Sequence, residues 1–337
     1  MSRKTAPAQS PDTPSPAMVG LRETRTDAPG WRRRRAGRGW TYLTETGEPL
    51  PNAHKRRCRD LVIPPAWAAV WINPDPKGHI LAYGEDEAGR RQYIYHPAWR
   101  AARERAKYQD LPAFADKLPR LRRRIARLLR DPPDDRALAK AVLVRLFDRG
   151  ALRIGSRRTV PDAFGATTLR KRHVELDRNS GAMTLDYRAK GGARRQLVLQ
   201  DARLVHALAH LEALPGVALF DLPSGPLRSE DVNGFIADLM GQGFSAKDFR
   251  TWTGSSQAAG HLRGSDQLSI TAMSRAVADR LGNTPAIARS SYIHPALIEL
   301  ARQRARPERL AGPRRLRREE RACYGAIQDY EAAANTD

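Results

Sequence analysis

Few residues of this chain are spaced to hold a metal or a nucleotide. His206 and His210 stand four apart, as two ligands on one helix face would, but Ala207 occupies the position where a zinc protease carries its glutamate. They read as two histidines on an exposed face. Cys58 and Cys323 are too isolated for a disulfide framework or a cysteine-rich zinc site, and no Walker A loop is present. What the chain has in excess is cationic side chains, 59 lysines and arginines against 37 acidic residues. The chemistry open to such a set is attack on a phosphodiester without a metal. That reaction needs a nucleophile, cations to hold the non-bridging oxygens as charge builds, and an acid for the leaving oxygen. Arginine suits the second task, because its planar, permanently charged fork meets two phosphate oxygens at once. A lysine on a mobile hairpin suits the third.

The formal net charge of +22 calls for a polyanionic partner, and duplex DNA is the densest common one. An acidic membrane surface is the competing partner. No stretch approaches the roughly 20 apolar residues of a membrane span, and residues 1–10 lack the apolar core of a signal peptide. The expectation is a cytoplasmic, nucleoid-associated protein that works as a monomer. With 337 residues the chain has room for two modest domains.

Residues 1–36, rich in Pro, Ser, Thr, Ala and Arg and ending in the run Arg32-Arg33-Arg34-Arg35, read as a disordered basic tail. Residues 37–104 carry aromatic and β-branched runs at 40–43, 70–72, 79–83 and 91–95, the last two forming a hairpin, and predict a small antiparallel β domain. Residues 105–300 predict a larger, mostly helical domain. Residues 111–130 form a very basic helix whose Arg122, Arg123, Arg124, Arg127 and Arg130 could track phosphates, and 136–147 an amphipathic one. Residues 173–200 switch to period two with turns at Asn179-Ser180-Gly181 and Gly191-Gly192, a three-stranded meander with Lys190 near a hairpin tip. Asp201, Ser229 and Ser245 open further helices, Ser245 with Asp248 as a capping box for the helix carrying Arg250. Thr284-Pro285 starts a short helix that ends near His294-Pro295 and carries Tyr292 late in its course. Residues 301–337 read as a basic tail, partly helical, broken by Pro307 and Pro313.

In order along the chain stand Arg153-Ile154-Gly155, Thr168-Leu169-Arg170-Lys171-Arg172-His173, Ala189-Lys190-Gly191, Ala246-Lys247-Asp248-Phe249-Arg250-Thr251-Trp252, Gly282-Asn283-Thr284-Pro285 and Ser291-Tyr292-Ile293-His294-Pro295. Upstream lie Ile63-Pro64-Pro65-Ala66-Trp67, Gly78-His79-Ile80 and Gln92-Tyr93-Ile94-Tyr95-His96-Pro97. This series resembles the type IB DNA topoisomerases of the bacterial, poxvirus-like branch, whose catalytic domain is related to that of tyrosine recombinases. The resemblance covers roughly residues 40–298. Taken singly the residues are bland: Tyr292 a packing residue, Arg153 and Arg250 surface or ion-pair arginines, Lys190 a turn lysine, Asn283 a residue at a helix end.

The resemblance implies an α+β protein in which the small β domain and the helical catalytic domain close around DNA as a clamp. It makes Tyr292 the nucleophile, Arg153 and Arg250 the clamp on the scissile phosphate, and Lys190 the general acid for the departing 5′ oxygen. Asn283 stands where many members have histidine and would donate to a non-bridging oxygen without titrating. Ser156 departs from the asparagine usual after Arg-Ile-Gly in the bacterial branch. The resemblance further implies DNA contacts from Gln92, Tyr93, Tyr95, Lys171 and Lys247. Strand alternation puts Tyr93 and Tyr95 on one face and Gln92 on the other, so one face packs and the other meets DNA. The implied reaction is relaxation of supercoiled duplex DNA through a 3′-phosphotyrosyl intermediate, with no cofactor, ATP or metal. The alternatives are a tyrosine site-specific recombinase, against which Lys247 stands where recombinases usually carry histidine, and a non-catalytic basic DNA-binding protein.

Overall fold

The computed structural model describes residues 14–155 and 163–334. The chain divides into two units, residues 1–109 and 110–337.

The first unit is built on a five-stranded antiparallel sheet. Its strands are β1 (Trp31–Ala36), β2 (Gly39–Leu43), β3 (Ala68–Ile72), β4 (Ile80–Glu85) and β5 (Arg91–Tyr95), in the order β2-β1-β3-β4-β5. Helix α1 (Asn52–Asp60) lies between β2 and β3 in sequence, and α2 (Pro97–Gln109) follows β5. Trp31, Tyr42, Ile72 and Ala82 close over Cys58 of α1 to make the core. The expectation of a disordered tail through residue 36 is corrected here, since the arginine run is strand β1. Arg33 turns inward and donates to the carbonyl oxygens of Ile63 (3.0 Å), Pro64 (3.0 Å) and Trp67 (2.7 Å). Its guanidinium lies 4.0 Å from the centre of the Trp40 ring. A cation thus does the work of an inward apolar residue, and it anchors the Pro64-Pro65-Ala66-Trp67 segment. Residues 1–13 of the expected tail lie outside the described residues.

The second unit carries helices α3 (Leu111–Leu128) and α4 (Asp135–Gly150), then the meander β6 (Val174–Asp177), β7 (Ala182–Arg188) and β8 (Arg194–Gln200). Helices α5 (Ala202–Ala213), α6 (Ser229–Met240), α7 (Ala246–Gly264), α8 (Ile270–Leu281), α9 (Pro285–Tyr292), α10 (Pro295–Arg302) and α11 (Arg318–Ala334) follow. Helix α7 is central, with Phe249, Trp252, Ala258 and Leu262 buried and α3, α4, α6, α8, α9, α10 and α11 packed around it. Two expectations change. Helix α4 is not amphipathic but buried on nearly every side, from Leu138 and Ala139 through Val142, Leu143, Leu146 and Phe147. The C-terminal stretch is partly helical as expected, with Pro307 and Pro313 in the non-helical segment between α10 and α11, but it is not a tail: α11 packs on α7 and buries Ala322, Cys323 and Ile327.

The basic face expected on α3 is real for Arg123, Arg124, Arg127 and Arg130, all exposed, but Arg122 points inward. Its guanidinium meets Asp148 of α4 at 2.7 Å and Glu320 of α11 at 2.6 Å, and both carboxylates are almost wholly buried. Trp252 Nε1 of α7 donates to the same Glu320 at 3.4 Å, so one ion network ties four helices together. His210 Nε2 on α5 lies 2.7 Å from Asp135, and His206 is exposed. Both cysteines are buried, and burial pushes the Cys58 thiol up to about 11 and the Cys323 thiol further still. Among the described residues no helix is long and apolar enough to cross a membrane.

Candidate active site

Four of the five expected catalytic side chains converge where the C-terminal ends of α4 and α8 approach α7 and α9. Helix α4 stops at Ala151, held at φ 51°, and two residues later the chain presents Arg153. The Arg-Ile-Gly motif has a steric cause. Gly155, at φ 87°, lies against Gly165, where a Cβ would fall 2.4 Å from the Gly155 Cα. Ala166 and Thr167 then donate their amides, each at 2.8 Å, to the carbonyls of Arg153 and Ile154. That closure fixes the backbone from which Arg153 projects. Ser156 lies outside the described residues.

Arg250 sits in the second turn of α7, behind the expected capping box. Ser245 N donates to Asp248 Oδ2 at 2.8 Å, and Ser245 Oγ accepts from Lys247 N at 3.3 Å. Arg250 is 4% exposed, and its guanidinium donates to the Ala151 carbonyl, to the Leu281 carbonyl at 3.2 Å and to Asn283 Oδ1 at 3.3 Å. The same Oδ1 accepts from Arg153 Nη2 at 2.6 Å. Guanidiniums only donate, so this sharing fixes the amide orientation and leaves Asn283 Nδ2 as the free donor. Among the described residues, Asn283 Nδ2 and Arg250 Nε are both buried without a hydrogen-bond partner. Leaving such donors unmade costs on the order of 1–3 kcal/mol each, a cost that an anion with several oxygens would remove.

Tyr292 ends α9, which opens at the expected Thr284 cap, where Ile287 N donates to Thr284 Oγ1 at 3.3 Å. Its ring lies 4.9 Å from the Arg250 guanidinium. Burial pushes the phenol upward, but the charge and hydrogen bond of Arg250, with the charges of Arg153 and Lys247, outweigh it and hold it below its ordinary value. A phenol so placed ionises more readily and is a better nucleophile. Two residues that the motifs did not single out seat it. A Cβ on Gly254 of α7 would fall 2.6 Å from the Tyr292 carbonyl oxygen. Its neighbour Ser255 donates Oγ–H to that oxygen at 3.1 Å and accepts from His294 N at 3.0 Å. Small-then-hydroxyl on a buried helix face was the available signal, but it is common in helix packing.

Lys190 is not gathered with the other four. It stands exposed at the tip of the β7–β8 hairpin, between Ala189, whose N–H and carbonyl both bond across the turn, and Gly191, and makes no hydrogen bond or ion pair with the described residues. Of the expected DNA contacts, Tyr93 and Tyr95 form an exposed pair on β5, 5.9 Å apart and stacked, while Gln92 Nε2 on the opposite face is bound to Asp86 at 2.8 Å. Lys247 is exposed on the first turn of α7. Lys171 is half-buried, with its ammonium on the Leu214 carbonyl oxygen. Leu169 and His173 of its motif also work inward, Leu169 fully buried and His173 packed edge-on against Phe164 at 4.4 Å, while Arg172 is exposed. Two guanidiniums, an amide donor and a phenol around one point can grip a tetrahedral anion and attack it.

Comparison with known proteins places the chain in a family. Residues 39–86 match the family model of the bacterial DNA topoisomerase IB N-terminal domain. The DNA topoisomerase 1B of Acanthamoeba polyphaga mimivirus is 26% identical over 281 residues, which cover 77% of this chain and 83% of the viral protein. The family model described as eukaryotic DNA topoisomerase I, catalytic core, matches residues 96–305, more than half of the 337 residues, and the chain therefore belongs to the type IB DNA topoisomerase family of isomerases.

Proposed function

We propose that this enzyme relaxes supercoiled duplex DNA by two transesterifications. The Tyr292 phenol gives its proton to water as its oxygen forms a bond to a backbone phosphorus and the bond from that phosphorus to the 5′ oxygen breaks, and Lys190 supplies the proton that leaves with the 5′ hydroxyl. Arg153, Arg250 and the Asn283 amide hold the non-bridging oxygens. After the freed strand swivels, the 5′ hydroxyl attacks the 3′-phosphotyrosyl link and regenerates the phenol. The ester linkage is conserved across each step, so no ATP is needed. The two units, residues 1–109 and 110–337, are assigned as the two DNA-binding domains of a monomer that works on the nucleoid in the cytoplasm, with Tyr93, Tyr95 and Lys247 facing the duplex.

The observation that carries this reading is the cluster of Arg153, Arg250, Asn283 and Tyr292, with two buried donors that find no partner among the described residues. What marks this cluster is that the Arg250 guanidinium, sharing one amide oxygen with Arg153, lies 4.9 Å from the Tyr292 ring. The test is relaxation of a supercoiled plasmid in EDTA without ATP, together with denaturant trapping of labelled DNA on the wild-type chain and on Tyr292→Phe. Relaxation and a covalent adduct with wild type, and neither with Tyr292→Phe, are expected. Relaxation by Tyr292→Phe would overturn the assignment, and binding without an adduct in either protein would leave a non-catalytic DNA-binding protein.

A further inference from the structure

A third guanidinium stands behind the clamp, and nothing in the motif series pointed to it. Arg195 lies on β8, directly across the ladder from Tyr187 of β7 and close to the hairpin that bears Lys190. It reaches out of the sheet to the ends of two helices. Its Nη2 donates to the Arg280 carbonyl at 2.7 Å and lies 3.5 Å from the Gly150 carbonyl, and its Nη1 donates to the Asp279 carbonyl at 3.3 Å. Those carbonyls belong to the C-terminal, negative ends of α8 and α4, where a cation is favoured by the helix dipole. Asn283 follows the α8 end by two residues and Arg153 follows the α4 end by three.

Arg195 makes no ion pair among the described residues, and its burial lowers the guanidinium's affinity for its proton. The helix-end carbonyls offset only part of the cost of hiding a cation beside other arginines and without a carboxylate. A surface that only needed filling would be better served by an apolar side chain. The fit is also close. Gly282, the left-handed residue that ends α8 at φ 61°, lies against Arg195, and a Cβ there would fall 2.7 Å from Nη1 and 3.0 Å from Cδ.

We propose that Arg195 is a positioning residue of the phosphate clamp: by tying the ends of α8 and α4 to one guanidinium, it sets the spacing between Asn283 and Arg153. This rests on the reading of those two residues as holding the scissile phosphate. The hairpin itself is held by the β7–β8 ladder, so Arg195 acts on the clamp and not on Lys190.

The test is single-turnover cleavage of a duplex by the full chain, with normal or 5′-thio DNA, alongside the dissociation constant for DNA and the melting temperature. Misplacement of a reacting group by about an ångström costs on the order of 100-fold in rate. Arg195→Ala is expected to cleave tens of times more slowly with DNA affinity within a few-fold of wild type, and the 5′-thio leaving group should not restore it. Arg195→Lys, which can reach only one carbonyl, should recover part of the rate. Gly282→Ala, which displaces Arg195, should lower the rate by a similar factor, and combining it with Arg195→Ala should add little. A wild-type rate for Arg195→Ala would overturn the inference alone, as would full rescue by 5′-thio DNA, which would place Arg195 in the service of the acid. If Arg195→Ala melts below the assay temperature, Arg195→Lys and Gly282→Ala decide by the same criteria. Absence of any adduct from wild type would refute the functional reading and this inference with it.

Discussion

Replacing Arg122 with methionine would remove the nearest cation to two buried carboxylates. The Asp148 and Glu320 side chains are 6% and 3% exposed and lie 2.7 and 2.6 Å from the guanidinium. Taking away one partner of a buried pair costs about 3–5 kcal/mol, because the other charge stays behind in a poor solvent. Arg317 remains 3.5 Å from each carboxylate, and the methionine fills most of the vacated stem, so the lower end, about 3 kcal/mol at pH 7.5, is expected. The pH dependence identifies the cause. In the native chain burial pushes both carboxyls upward, but Arg122 overcomes it and holds them below the usual carboxylate range. They therefore contribute stability that is present above the unfolded value and lost as pH falls through the lowered folded one. Without Arg122 the burial effect prevails and the folded values rise above the unfolded ones. The penalty is then full at neutral pH and shrinks as acid neutralises the stranded charges. Urea unfolding of both proteins at pH 7.5 and pH 5 should show a gap that narrows at the lower pH. An equal gap at the two pH values, or one under about 1 kcal/mol, would refute the account.

Lys190→Ala should slow cleavage of normal DNA by roughly 10²- to 10⁴-fold and be substantially rescued by a 5′-thio leaving group, whereas Arg250→Ala should gain far less. Equal rescue of the two in single-turnover assays would make Lys190 a second clamp. Tyr93→Phe with Tyr95→Phe should weaken DNA binding by about tenfold or more, since a hydrogen bond to a charged oxygen is worth roughly 1.5–3 kcal/mol. The slope of log affinity against log salt should stay unchanged, because no charge is removed, and a change in slope would count against that contact. His294 is 4% exposed, and burial lowers its pKa to about 4. Its folded value lies below the unfolded one, so stability falls as pH drops from about 6.5 towards 4, by roughly 2 kcal/mol at pH 5, and His294→Gln should flatten that part of a denaturant-midpoint titration.

The parts of the fold that were legible in the sequence are those whose signals are local. Ser245 with Asp248, Thr284 with Pro285, and Asp201 receiving Leu204 N each act within one turn, and all three caps are formed. At α6 the cap falls one residue earlier than expected, on Arg228, whose amide donates to Asp231 at 2.8 Å. What could not be read depends on partners far along the chain. Arg122 looks like its exposed neighbours until Asp148 and Glu320, 26 and 198 residues away, are brought to it. The strand β1 has no apolar alternation because a guanidinium takes an inward place. Helix α11 buries mainly small residues, Ala322, Cys323 and Ala326 among them, so its apolar period is faint. At the candidate site, the motif order brought out Arg153, Arg250, Asn283 and Tyr292, which the fold gathers. It did not bring out Gly254, Ser255 or Arg195, because seating a backbone or capping a carbonyl needs no distinctive residue type.

The burial of both thiols has a practical consequence for watching the enzyme at work. Cys58 and Cys323 are the whole cysteine complement, and each is held as an unreactive thiol inside a core. A maleimide dye would therefore find a single target in a chain given one new surface cysteine. Val198 on β8, 64% exposed, is a place where the change disturbs no packing. A fluorophore there would ride on the same ladder as the Lys190 hairpin and could report its motion on single DNA molecules without any native residue first being removed.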